Sequence, residues 1–428
     1  MRDRSTDSTG TPIGSSRTSH LQPHEQLLLV ACRRDAPEGL TAELAARTAA
    51  PVPWERMVET AERHDVLGLV LSTLEQSPAL EELPEERARR ILGPLRLLSR
   101  QSLLWEMERE RLAEVFADCG LDPVWLKGGA LRGTVYPTPV ERQIGDFDLL
   151  LAADELEPAT RALESAGYES PLSEEQRRAI TRHHYHHRLT HPGGFVVELH
   201  WALTQPSDPY RLDADALRRR SRPQAVAEGL VLRAPGAEDM LLHCAAQNFE
   251  GAFGRLRRLV DLDRIAGSDA DFDWTRLEQA ARRAGLEGTL AFCLQLTRSV
   301  LGTRLPPRVI SDLAPSPSLR VHTALLGPIG GLMRQEFSRR PAAAWLLRFW
   351  LASSWSVRGD LLVRRLAGTD QPLEWLWQGE ASSGEHDTAF LAGFRKVAKA
   401  LVYQIWLYLK GLGRAATSAG RRELGFWS

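Results

Sequence analysis

The chain has 428 residues, 43% of them hydrophobic and 25% charged, the make-up of a globular protein with room for two or three domains with cores of their own. A formal net charge of -1 excludes a global field that would draw nucleic acid or a membrane surface. Cys32, Cys119, Cys244 and Cys293 stand far apart in apolar helical contexts, which excludes a disulfide scaffold and predicts buried free thiols in a reducing, cytoplasmic setting.

Residues 1–22 are polar, rich in Ser and Thr and without the apolar stretch of a signal peptide, so a disordered tail is expected there. From 23 to 118 apolar positions recur at helical spacing, as in Leu67, Val70, Leu71 and Leu74 and again in Leu104, Met107, Leu112, Val115 and Phe116. Pro51 and Pro53 mark a helix start, and Pro84 and Pro94 start or interrupt others.

The pattern changes over 119–205. Val124-Trp125-Leu126 is a short apolar run ending in Lys127-Gly128-Gly129, and a helix is expected from Ala130. Ile144 to Leu151 alternates strictly and predicts a strand. Asp154 to Ala166 is helical, with Asp154 as N-cap and Gly167 as the stop. His183 to Thr190 and Phe195 to Leu203 read as two strands joined by Pro192-Gly193-Gly194. This order predicts an α/β (α+β) core with a small mixed sheet, set in a predominantly helical chain.

Helical spacing returns from Pro235, and 206–310 is expected to form a helical domain. A further helical region, 311–428, ends in a basic amphipathic helix over Phe390–Leu412. Its Trp406, Leu407 and Leu409 favour packing on the protein over peripheral contact with a membrane. No apolar run reaches about 18 uninterrupted residues, so no membrane span is predicted.

The chemistry centres on acids. Asp146 and Asp148, two apart on one strand, share a face about 6.5–7 Å apart. Carboxylates so placed suit a pair of divalent cations. Val196, Glu198 and His200 share one face of the later strand, and Glu198 completes the cluster if the strands are neighbours. The other Asp-x-Asp pairs, Asp213/Asp215, Asp261/Asp263, Asp269/Asp271 and Asp271/Asp273, lack a preceding glycine turn and are expected to be solvated acids or caps.

Gly128 and Gly129, without Cβ atoms, let backbone N–H groups approach a phosphate at a helix start; the plain alternative is a tight turn with no ligand. Lys127 could neutralise a phosphate or cap the strand end in water. Arg142 could clamp phosphate or pair with the acids. Alternation splits the histidines, with His184 and His186 on one face and His183, His187 and His191 on the other, which argues against a zinc set. A partly solvated strand beside the site is expected, with His200 as a ligand contact. No GxxxxGK[ST], HExxH or GxSxG is present, so P-loop, zincin and hydrolase-elbow chemistries lack support.

Leu126-Lys127-Gly128-Gly129, the run Arg142-Gln143-Ile144-Gly145-Asp146-Phe147-Asp148, and Val197-Glu198-Leu199-His200-Trp201 resemble the bacterial uncharacterised nucleotidyltransferase family, of the DNA polymerase β-type nucleotidyltransferase superfamily. Glu238 to His243, Arg257 to Asp261 and Asp273-Trp274 are similar to its helical C-terminal portion. The resemblance spans roughly residues 55–305. It implies a nucleotidyltransferase core in which Asp146, Asp148 and Glu198 carry Mg²⁺ or Mn²⁺ and catalyse, while Gly128 and Gly129 hold phosphate. The implied reaction moves a nucleoside monophosphate from an NTP, such as ATP, to an acceptor hydroxyl and releases pyrophosphate. The acceptor class (sugar, small molecule, peptide or RNA) stays open. The rival is a non-catalytic nucleotide-binding scaffold on the same fold; a DxD glycosyltransferase is disfavoured because no nucleotide-sugar Rossmann half is present.

Overall fold

A computed structural model of the chain describes residues 21–34, 53–77, 85–181, 184–205, 208, 210–250, 253–268, 272–313, 332, 333, 345, 348–352 and 355–366. Residues 1–20 of the tail expected over 1–22, the basic helix expected at 390–412, and His183 lie outside the described residues.

Among the described residues four helices come first: α1 (Pro23–Ala31), α2 (Trp54–Arg63), α3 (Leu67–Glu75) and the long α4 (Glu85–Asp118). α1 starts at a proline, whose missing N–H is not needed in the first turn, and is closed by a capping box between Gln22 and Glu25. The core follows: β1 (Val124–Trp125), α5 (Lys127–Leu131), a 3-10 turn (Pro139–Glu141), β2 (Phe147–Leu150), α6 (Leu156–Ser165), α7 (Glu174–Ile180), β3 (His186–Thr190) and β4 (Val196–His200).

The strands form one mixed sheet in the order β1-β2-β4-β3. β2 and β4 run parallel, which requires a crossover, and α6, α7 and β3 supply it. β1 pairs antiparallel with β2, and β3 with β4. β2 is shorter than the alternation predicts. Its ladder begins where Phe147 meets Val197, so Asp146 stands just ahead of the strand.

Alternation splits the sheet into two faces. Phe147, Leu149, Val197, Leu199 and Leu189 are fully buried on the inner face. Trp105 of α4 covers it, with its ring 5.0 Å from Phe147 and 5.2 Å from Phe195. Farther along α4, buried Arg109 donates through Nη1 to the carbonyls of Gly129 (3.0 Å) and Arg132 (3.2 Å). Burying each large apolar side chain contributes about 1.5–3 kcal/mol, and a one-residue slip would drive the acids into this layer, so the register is firmly set. On the opposite face Leu150 joins a smaller cluster with Val124, Leu126, Leu203 and Leu217.

Next come α8 (Ala214–Arg220) and a hairpin of β5 (Arg222–Ala227) and β6 (Leu230–Ala234) turning at Gly229, φ 76°. The remaining helices are α9 (Ala237–Glu250), α10 (Leu256–Ala266), α11 (Trp274–Ala284), α12 (Glu287–Leu301), α13 (Val309–Leu313) and α14 (Trp355–Leu366). α11 and α12 stop on left-handed Gly285 and Gly302. Among the described residues no helix is long and apolar enough to cross a membrane.

Two expectations need correction. Asp213 and Asp273 do cap α8 and α11, but Asp261 and Asp263 are buried, not solvated. Partners make this possible: Arg142 and the Tyr136 hydroxyl for Asp261, and Arg34, the adjacent Arg264 and the Thr303 hydroxyl for Asp263. Cys119 is exposed, because α4 ends one residue before it, whereas Cys32, Cys244 and Cys293 are buried thiols.

Gly133, φ 81°, sits where a Cβ would lie 1.6 Å from the Val226 carbonyl oxygen. Gly133→Ala therefore meets both a disfavoured φ and a backbone clash, and should lower stability by at least about 2 kcal/mol in urea unfolding. Gly194→Ala, at φ 87° with open space around it, should cost only about 1 kcal/mol.

Candidate functional site

The sheet's outer face assembles the site through strand register. Asp148 on β2 is the direct partner of Glu198 on parallel β4, which puts their side chains side by side about 4.8 Å apart at the backbone. His200 follows Glu198 on the same face, and its partner on β3 is His186. Arg188, the β3 partner of Glu198, is exposed.

Lys127 reaches this patch from the turn after β1. Leu126 still donates its N–H to the Asp148 carbonyl (2.9 Å), and Lys127 then adopts a left-handed backbone, φ 45°. That conformation costs about 1–2 kcal/mol for a residue with a Cβ. Lys127 Nζ donates to Asp148 Oδ1 at 2.6 Å, and His200 Nε2 lies 3.0 Å from the same oxygen. His200 Nε2 is also 3.5 Å from Glu198 Oε2.

A cleft opens over these groups. It is lined by Lys127, Gly128, Asp146 and Asp148 from the core, by Cys244 and Gln247 of α9, by Arg257, Arg258 and Asp261 of α10, and by Arg142 and Ile144. Gly128 faces the cleft, where a Cβ would meet Ile144 Cγ1 at 3.2 Å and Arg142 Nη1 at 3.3 Å. Gly129 turns toward the core, where a Cβ would lie 3.1 Å from the Trp125 ring. Arg142 pairs with Asp261, through Nε to Oδ1 at 2.8 Å and Nη2 to Oδ2 at 3.0 Å, and not with the sheet acids. Tyr136 donates its hydroxyl to Asp261 Oδ1 at 2.7 Å.

Charge in the cleft is unevenly matched. Burial pushes the Asp148 carboxyl up, but Lys127 and His200 outweigh it and hold that group well below the usual carboxylate range. Burial likewise opposes Glu198, and the hydrogen bond from His200 brings it down. Lys127 and His200 are raised in turn, burial being outweighed by the carboxylates. Asp146 differs: burial and the neighbouring Asp148 push it up to about 6. Burial also takes His243, on α9, down to about 3, so its ring is neutral.

Asp146 is thus the acid that lacks a sufficient counter-charge; Asp146 and Asp148 line the cleft, Glu198 pairs with Asp148 across the strands, and these carboxylates offer hard oxygen donors that suit Mg²⁺ or Mn²⁺. Of the residues singled out in the sequence, Lys127, Gly128, Arg142, Asp146 and Asp148 line the cleft, and Glu198 and His200 stand beside Asp148 on the sheet. Arg142 lines the cleft with its guanidinium held by Asp261, and Gly129 lies behind the lining. His186, Gln247 and Arg258 are neighbours that periodicity did not assign. For His186 a signal existed: counting outward equally from the turn residue Gly193 pairs it with His200.

A family model described as "Uncharacterised nucleotidyltransferase" matches residues 50–302. No curated protein and no solved structure matches the chain.

Proposed function

The chain belongs to the uncharacterised nucleotidyltransferase family, and from that membership we propose that it moves a nucleoside monophosphate from an NTP to an acceptor hydroxyl, with a divalent cation held by Asp146, Asp148 and Glu198. The observation that carries this reading is the direct pairing of Asp148 with Glu198 across parallel strands, with Asp146 in the same cleft. A glycine turn, an acid pair and a third acid on a neighbouring strand also support a place in the DNA polymerase β-type superfamily.

When bound, Mg²⁺ or Mn²⁺ supplies Lewis-acid polarisation of phosphate oxygens. The remaining work falls to the protein's own groups. Gly128 lines the cleft at the start of α5 and has no Cβ to obstruct the approach of a phosphate. Lys127 sets an ammonium beside Asp148, and Arg257 of α10 lines the same cleft, so that charge leaving with pyrophosphate would meet cations there. The acceptor oxygen bonds to the α-phosphorus, the bond to pyrophosphate breaks, and Glu198 takes the acceptor's proton. Helices α9 and α10, which line the cleft, would cover the base and select the acceptor.

Incubation with each α-labelled NTP, Mg²⁺ and cell extract should label an acceptor and release pyrophosphate; absence of label with every NTP would remove this assignment. Cation binding should also follow pH. Asp148 and Glu198 are held low and stay ionised, whereas Asp146 gains its proton as pH falls through about 6. That change weakens cation binding. Mg²⁺ should therefore raise the melting temperature more at pH 7.5 than at pH 5, a difference of about one pH unit on either side of the Asp146 transition or more.

A further inference from the structure

A different donor set meets beside the three acids. His186 Nε2 lies 3.8 Å from Glu198 Oε1, and His200 Nε2 lies 3.5 Å from Glu198 Oε2. Ligand atoms of these three side chains all fall within 4.8 Å of one another. The two imidazoles are cross-strand partners with ring centroids 4.9 Å apart, so the sheet itself fixes their approach.

Donors about 2.0–2.2 Å from one ion stand roughly 3–4 Å apart, which these side chains reach with small adjustments. Their chemistry differs from that of the acids. Mg²⁺ prefers oxygen ligands and water, whereas imidazole nitrogen suits borderline ions of the zinc, cobalt and iron(II) class. Two imidazoles and one carboxylate also leave positions open for water or a phosphate oxygen.

We propose that His186, His200 and Glu198 form a second cation site, selective for a borderline divalent transition ion and sharing Glu198 with the hard-oxygen site. It rests on the nucleotidyltransferase reading only through the shared Glu198. An ion on His200 Nε2 replaces the contact that this nitrogen makes with Asp148 Oδ1, 3.0 Å away. The Asp148 carboxylate is thereby left to Lys127 and the neighbouring cation.

The test uses the full chain, stripped with EDTA and titrated with cobalt(II) chloride in excess Mg²⁺ while the cobalt ligand-field absorption is followed. Saturation at one equivalent is expected, with the spectrum of imidazole ligation. His186→Gln should weaken binding by at least about tenfold, the lower end of what disturbing a metal's surroundings costs. His186→Asp, which keeps a donor, should retain cobalt but lose it more readily to Mg²⁺. Unchanged cobalt affinity in His186→Gln with native far-UV circular dichroism, or displacement of cobalt from the wild type by Mg²⁺, would overturn the site. Asp146→Asn separates the two ideas. It lies outside the donor set and should keep the cobalt spectrum while losing label transfer; retained transfer would count against the acid cluster and leave the cobalt result to decide this site.

Discussion

Asp146→Asn should lose nucleotide transfer and yet melt at a higher temperature than the wild type in the absence of metal. Asp146 carries the cleft's uncompensated negative charge, since burial and Asp148 push its carboxyl up to about 6. Holding that group ionised at pH 7.5 works against folding, and a neutral amide of the same shape removes the penalty. The gain should be on the order of 1 kcal/mol, less than the full shift would convert to, because solvent still screens a partly exposed group. Catalysis moves the other way. Disturbing a group that only supports a metal ligand already costs about 10–100-fold, so removing a ligand should cost about 100-fold or more in kcat/KM. The two readouts are a thermal melt in EDTA and label transfer in Mg²⁺. A variant that melted lower, or one that kept its activity, would contradict the account of the charge balance. Such opposition between stability and activity is the mark of a group placed for function.

Asp261→Ala should produce the largest loss of stability of any single change at the cleft. Arg142 and Asp261 are buried, joined by two hydrogen bonds, and Tyr136 adds a third to the same carboxylate. Removing the aspartate leaves a guanidinium without its counter-charge, a loss of about 3–5 kcal/mol in denaturant unfolding. Arg142→Met combined with Asp261→Leu should recover much of that, because an apolar pair of similar volume carries no desolvation cost. Cleft chemistry should suffer in both, since Arg142 Nη1 is what a Cβ on Gly128 would touch at 3.3 Å.

Much of the sheet was legible because one-sided burial writes itself as alternation. Phe147, Leu149, Val197 and Leu199 announced an inner face, and with it the outward acids Asp148 and Glu198. The turn at Pro192-Gly193-Gly194 announced the β3–β4 hairpin. Asp146 was placed one residue too deep, since alternation does not mark where a ladder ends. The partner of Arg142 was not legible at all. Asp261 lies on a helix far along the chain, and periodicity holds no information about which distant charges meet. Asp261 and Asp263 looked solvated for the same reason. The hairpin of β5 and β6 escaped because Arg222, Pro223 and Arg233 break its apolar pattern, leaving only Glu228-Gly229 as a turn cue.

The layer beneath the acids has a practical corollary for dissecting this enzyme family. Trp105 roofs Phe147 and Phe195, Arg109 clasps the carbonyls of Gly129 and Arg132, and Gly68 abuts the peptide of Val140 just upstream of Arg142. The amino-terminal helices are therefore scaffolding for the chemistry, not an appendage to it. A minimal fragment cut at the first strand would strip the sheet of its apolar cover and the glycine turn of its brace. Any excised catalytic unit has to begin upstream of Gly68.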